Sequence, residues 1–142
     1  MATHILVPVD GSEQSIEALR FAATEWPQAK LTLLNVINPS TAKYTDSAFS
    51  GSEEWYQKQK RKATETFATV KAETSLVDTD RDISTRIAVG KPAKTVVEVL
   101  EEDSYDHVVL GSHGRTGVTR VILGSVAEEI VRRAPVPVTV VR

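Results

Sequence analysis

The sequence predicts an open α/β fold: a five-stranded parallel sheet with helices packed on both faces. Two observations carry this. Short, nearly continuous apolar runs, such as Ile5-Leu6-Val7-Pro8-Val9 and His107-Val108-Val109-Leu110, have the pattern of strands covered on both sides. Between them lie stretches of helical period that open on capping residues. Strands alternating with helices form a parallel sheet, and right-handed crossovers leave few topologies. With 142 residues, 41% of them hydrophobic and 25% charged, a single domain over 1–142 is expected.

The elements follow in order. In the first strand Pro8 belongs near the end, because a proline inside a central strand would interrupt pairing. Asp10-Gly11-Ser12 turns the chain, with Ser12 as N-cap and Glu13 in the first helical turn. Ile16, Leu19, Ala23 and Trp26 define that helix's inner face, and Pro27 stops it. Residues 31–37 are the second strand. The polar stretch 38–51 is long for a connection and is expected to be mobile or functional: either a lid whose Tyr44 and Phe49 fold over a bound ligand or a tether with no role. Ser52 caps a long helix whose apolar stripe is Trp55, Ala63, Phe67 and Val70; its lysine-rich side is a solvated face. Residues 83–89 partly alternate in polarity, as an edge strand does. Pro92 opens the third helix at its first position, with Val96, Val97 and Leu100 inward. The fourth helix covers 125–133, and residues 136–141 form the closing strand.

Composition narrows the function. A net charge of -2 speaks against a nucleic-acid surface, which would be basic. The absence of cysteine removes disulfides and thiolate metal sites. No run approaches the roughly 18 apolar residues of a membrane span, and the N-terminus lacks the pattern of a signal peptide. The chain reads as a cytoplasmic protein.

The most informative stretch is Leu110-Gly111-Ser112-His113-Gly114-Arg115, followed later by Gly124-Ser125-Val126. It leaves a buried strand, passes a glycine-rich turn and enters a helix. Ser125 and Glu128 have capping-box spacing, which makes Ser125 the expected N-cap. Gly111, Gly114 and Gly124 are expected to allow positive φ and to clear Cβ atoms from a ligand's path. Free amides at a helix start, with a basic side chain beside them, suit phosphate. No paired base and nucleophile stands out, His4, His107 and His113 lack zinc-ligand spacing, and no P-loop pattern is present. Neither a catalytic nor a metal residue is assigned.

These features together resemble the universal stress protein family. The residues that carry the resemblance are Val7-Pro8-Val9-Asp10-Gly11-Ser12, Asn35-Val36, Val89-Gly90-Lys91-Pro92, and the spacing G-x2-G-x9-G-S over Gly111, Gly114 and Gly124-Ser125. The resemblance implies a Rossmann-like sheet of order 3-2-1-4-5, homodimers through the last strand, here 136–141, and a regulatory protein that binds ATP, with or without Mg²⁺. Another adenine nucleotide, including a cyclic one, fits the same pattern. It further implies that Asp10 bonds the ribose, that Pro8, Val9 and Val36 line the adenine site, and that Gly111, Gly114, Arg115, Gly124, Ser125 and Val126 surround the phosphates. Gly90, Leu110 and His113 complete the implied cofactor set. A slow ATPase or nucleotidyl transferase on the same fold is the alternative. Pro137, lacking a donor, is expected to limit the ladder between subunits.

Overall fold

The computed structural model describes residues 3–41, 52–77, 79–102, 104–112 and 123–142. The elements run β1 (His4–Pro8), α1 (Glu13–Glu25), β2 (Lys30–Ile37), a 3-10 turn at Pro39–Thr41, α2 (Glu53–Glu73), β3 (Ile83–Val89), α3 (Pro92–Glu102), β4 (His107–Gly111), α4 (Ser125–Arg133) and β5 (Val138–Val141). The five strands pair in parallel, in the order β3-β2-β1-β4-β5.

Alternation along each strand divides the core in two. Ile5, Val7, Leu31, Leu33 and Val109 face α1 and α2, where they meet Ala18, Leu19, Ala22, Ala63, Phe67 and Val70. Leu6, Leu34, Val108 and Leu110 face α3 and α4, against Val96, Val99, Leu100, Ala127 and Ile130. The expected inner face of α1 shifts by a fraction of a turn. Ser15, Ala18, Leu19 and Ala22 are its buried residues, and Ile16, Ala23 and Trp26 flank them, partly buried. Small side chains sit centrally because the first turn of α1 lies close to the end of β4.

The sheet opens between β1 and β4. Thr3 and Val9 bond β2 through Lys30 N and Leu34 O, whereas the His4 carbonyl bonds Asp106 N on the other side. Alternate residues of a strand serve opposite neighbours, so Pro8 turns its donorless nitrogen toward β4. Pairing there runs only over Ile5–His107 and Leu6–Val108, while β1 and β2 stay in register through Pro8–Leu34.

Two helix caps follow the expected pattern: Ser12 Oγ accepts from Ser15 N, and Ser52 Oγ accepts from Trp55 N. At α4 the expectation fails. The N-cap is Gly124, with no side-chain cap bond, and Ser125 is the first helical residue. Gly124 N donates to Ser112 O at 2.8 Å, and Gly124 O accepts the first helical bond, from Glu128 N. This tie to β4 fixes the helix start one residue earlier than the capping-box spacing implied.

The last strand is shorter than expected. Pro137 lies outside β5, yet its carbonyl accepts from Val108 N at 3.1 Å. Pro137 therefore faces β4 and not the outer edge, so the expectation that it limits an outward ladder is corrected.

Arg81, in a stretch read only as loop, closes the far end of α1. Its guanidinium donates to the carbonyls of Ala23, Trp26 and Ala29, offsetting the negative end of the helix. His107, at the opposite sheet edge from the cleft, packs its ring 4.9 Å from that of Trp26 and bonds Thr139 Oγ1 through Nε2 at 2.7 Å. Burial pushes its imidazole below the ordinary value.

Two outcomes follow. Arg81→Ala should lower unfolding stability by about 1–2 kcal/mol, and Arg81→Lys should recover only part, because one ammonium cannot span three carbonyls; chemical denaturation measures both. Because the folded state disfavours protonated His107, the unfolded chain takes up its proton first. Stability is therefore full above about pH 6.5 and declines below it. His107→Gln should flatten the stability–pH curve just below pH 6.5, and a slope equal to wild type would refute the assignment.

Candidate functional site

Where β1 and β4 part, a cleft of about 390 Å³ opens at the carboxyl ends of the strands, the place where the order of an open α/β sheet reverses and ligands bind. Its floor is apolar: Leu34 and Val36 from β2, Val96 from α3, Leu110 from β4, and Ala127 and Ile130 from α4. Its rim is polar: Asp10, Ser12 and Ser15 on one side, Ser112, Gly124 and Ser125 on the other. An apolar floor beside a hydroxyl- and amide-rich rim is the division of labour common to small-ligand sites.

The Asp10 side of the rim is locked by short-range bonds. Asp10 Oδ1 accepts from Ser12 N at 2.9 Å. Ser15 Oγ donates to Ser12 O at 3.0 Å and accepts from Asp10 N at 3.4 Å. Gly11, at φ +86°, makes the reversal that an L side chain would strain. Asp10 Oδ2 makes no hydrogen bond among the described residues. Asn35 Nδ2 donates to Val9 O at 2.9 Å, which pins the end of β1 to β2.

The opposite rim is the start of α4. Its first intrahelical bond is made by Glu128 N, so the amides of Ser125, Val126 and Ala127 have no helical acceptor. Gly124 offers no side chain to cap them. Ser125 and Val126 are exposed. The uncapped end carries the positive pole of the helix dipole to the cleft.

Nine of the sequence-derived positions line this cleft: Pro8, Val9, Asp10, Val36, Leu110, Gly111, Gly124, Ser125 and Val126. His113, Gly114 and Arg115 lie outside the described residues, as do Tyr44 and Phe49. Gly90 is not among the lining residues. It follows β3 at φ +152°, and a Cβ there would collide with Thr95 Oγ1, so its place is the turn into α3. Positive φ is confined, among described glycines, to Gly11 and Gly90; the expectation of such turns at Gly111 and Gly124 is corrected. Gly124 has the extended geometry of an N-cap, at φ -66° and ψ 159°.

The sequence reading missed Ser12, Ser15, Leu34, Asn35, Pro92, Val96, Ser112, Ala127 and Ile130 as lining residues. Several had been assigned to core or caps, and they serve both purposes where the core surfaces at the strand ends. His4 and His107 stand at the other edge of the sheet, His4 bonding Thr32 Oγ1 and stacking on Tyr105 at 4.2 Å. Among the described residues no group of three His, Asp or Glu side chains could hold a metal ion, and no helix is long and apolar enough to cross a membrane.

Comparison with known proteins agrees with this architecture. The model of the universal stress protein family matches residues 1–142. Universal stress protein MJ0577 of Methanocaldococcus jannaschii is 31% identical over 157 aligned positions, which cover 100% of this chain and 96% of that one; a solved structure of MJ0577 matches with a TM-score of 0.82 at 29% identity, over 99% of this chain and 96% of that one. UspA from Lactobacillus plantarum has a TM-score of 0.77 at 28% identity, over 99% of this chain and 97% of that one. A universal stress protein in complex with cAMP has a TM-score of 0.63 at 26% identity, over 99% of this chain and 97% of that one.

The Asp10 turn is testable without any ligand. Asp10→Ala should cost about 1 kcal/mol by removing the bond to Ser12 N, whereas Asp10→Asn keeps an Oδ1 acceptor and should unfold close to wild type. Equal thermal midpoints for wild type and the alanine variant would refute the turn role.

Proposed function

The chain belongs to the universal stress protein family, and from that premise we propose that it is a homodimeric regulatory protein that binds an adenine nucleotide, ATP foremost, in the cleft between β1 and β4. One observation carries the reading: the start of α4, with no side-chain cap, faces across a cleft an aspartate turn whose second carboxylate oxygen bonds nothing among the described residues, with an apolar floor between them. A structural relative bound to cAMP supports an adenine nucleotide as the class of ligand.

In this reading the base lies on the floor against Val36, Leu34 and Val96, beside Pro8 and Val9. The ribose hydroxyls donate to Asp10 Oδ2, a charge-assisted bond. The phosphates meet the amides at Ser125 and Val126 and the Ser125 hydroxyl, with Gly124 leaving the approach clear. Mg²⁺ would travel on the phosphates, since it needs few protein ligands. The protein works in the cytoplasm, where its nucleotide state is read by a partner protein.

The dimer forms through β5. Pro137 and Val141 bond β4, so Val138 and Val140 turn their backbone groups outward. That edge is open to antiparallel pairing with its own copy about a two-fold axis, and Pro137 does not obstruct it.

Two measurements test the proposal. Asp10→Asn, which preserves the turn, should weaken ATP binding by about tenfold or more in calorimetric titration; unchanged affinity would remove Asp10 from the site. In sedimentation the wild type should be dimeric at micromolar concentration and Val140→Lys should shift it toward monomer. A fully dimeric lysine variant would place the interface elsewhere.

A further inference from the structure

We infer that Asn35 is a positioning residue: its carboxamide occupies the Val9 carbonyl, stops the β1–β2 ladder one bond early and leaves the Val36 amide free for the base of a nucleotide. In a parallel pair a residue donates to one residue of the neighbouring strand and accepts from the residue two positions further on. Leu31 N donates to Asp82 O, and Ile37 O accepts from Gly90 N. The odd-numbered residues of β2 therefore serve β3, and the even-numbered ones serve β1. Lys30 N donates to Thr3 O at the start of the β1 ladder, and Val9 N donates to Leu34 O at 2.8 Å at its end. The next bond of the series would run from Val36 N to Val9 O. Among the described residues it is not made; Asn35 Nδ2 donates to Val9 O instead, at 2.9 Å. The bond from Val9 N shows that the strands still stand at ladder distance here, so separation does not account for the missing bond. A side-chain donor has taken the place of a backbone one.

The consequence lies in the cleft. Val36 is half-buried and lines the cleft beside Leu34 and Asn35. Its N–H turns to the β1 side, where Pro8 and Val9 line the same cleft, and it has no acceptor among the described residues. Backbone donors away from open water are nearly always paired, so a free one at a cleft floor is a place for a ligand acceptor. The ring nitrogens on the edge of an adenine are acceptors of that kind, and for the identity of the ligand the inference rests on the nucleotide reading of the cleft. The end of β1 thus releases both neighbours by different means. Pro8 offers β4 no donor, and Asn35 takes from β2 the last acceptor.

The test is Asn35→Leu, which keeps the size of the side chain and removes its donor. In the ligand-free variant the backbone bond from Val36 N to Val9 O can form, so the Val36 amide should exchange at least roughly tenfold more slowly than in wild type. A merely structural Asn35 would give the opposite sign, because losing its bond would loosen the strand ends and speed exchange there. Affinities for adenosine and for ATP should both fall roughly tenfold, since the donor to the base is spent in either case. Val36 exchange that is unchanged or faster would overturn the inference. Slower exchange with undiminished adenosine affinity would overturn the role toward the base. If wild type binds neither adenosine nor ATP, the nucleotide reading fails and the role toward the base fails with it, while exchange still decides whether Asn35 stops the ladder. If the variant does not fold, scalar couplings across hydrogen bonds in the wild type decide: a coupling between Asn35 Nδ2 and the Val9 carbonyl carbon supports the inference, and one between Val36 N and that carbon overturns it.

Discussion

The structure depends on the point where β1 stops pairing with β4. Pro8 turns its nitrogen to that side and has no hydrogen to give, and the ladder with β4 runs no further than Leu6–Val108. The two central strands then part, the crossovers on either side run over opposite faces, and among the described residues no helix covers the gap from above. A parallel sheet that stayed closed here would have a continuous apolar interior and nowhere to seat a ligand. The cleft is what the topology leaves at the reversal of strand order.

The residues around the gap show how one set of side chains serves fold and site together. Leu34, Val96, Leu110, Ala127 and Ile130 are core residues by burial and also the floor of the cleft. The rim is rigid because its bonds are local and mutually dependent: Asp10 to Ser12, Ser12 to Ser15, Ser15 back to Asp10. Across the cleft, one bond between Gly124 N and Ser112 O holds the start of α4 to the end of β4. Both rims are thereby tied to the sheet, which limits the reorganisation a ligand must drive on binding.

Most of the fold was legible in the sequence because its signals are local. Apolar runs marked the strands, and Ser12, Ser52 and Pro92 stood where helices begin. The expected order of strands, implied by family resemblance, is the one found. What was not legible depends on residues far apart in the chain. Arg81 bonds carbonyls more than fifty positions away. Gly124 caps α4 in place of Ser125 because Ser112 takes its amide hydrogen. Pro137 is harmless to an outer edge because alternation turns it toward β4. In the cleft, the polar positions near strand ends were readable from their type and place. The floor was not, since an inward-facing valine at a strand end has the same pattern as one in the middle of the core.

The central claim is that one adenine nucleotide bridges the Asp10 turn and the start of α4. Amide chemical shifts followed during titration with ATP test it most directly. The account predicts saturable changes at Asp10, Val36, Ser125, Val126 and Ala127, with His4 and His107 at the far edge of the sheet unmoved. Saturating ATP that leaves those five amides in place, or moves only residues at the far edge, would contradict it.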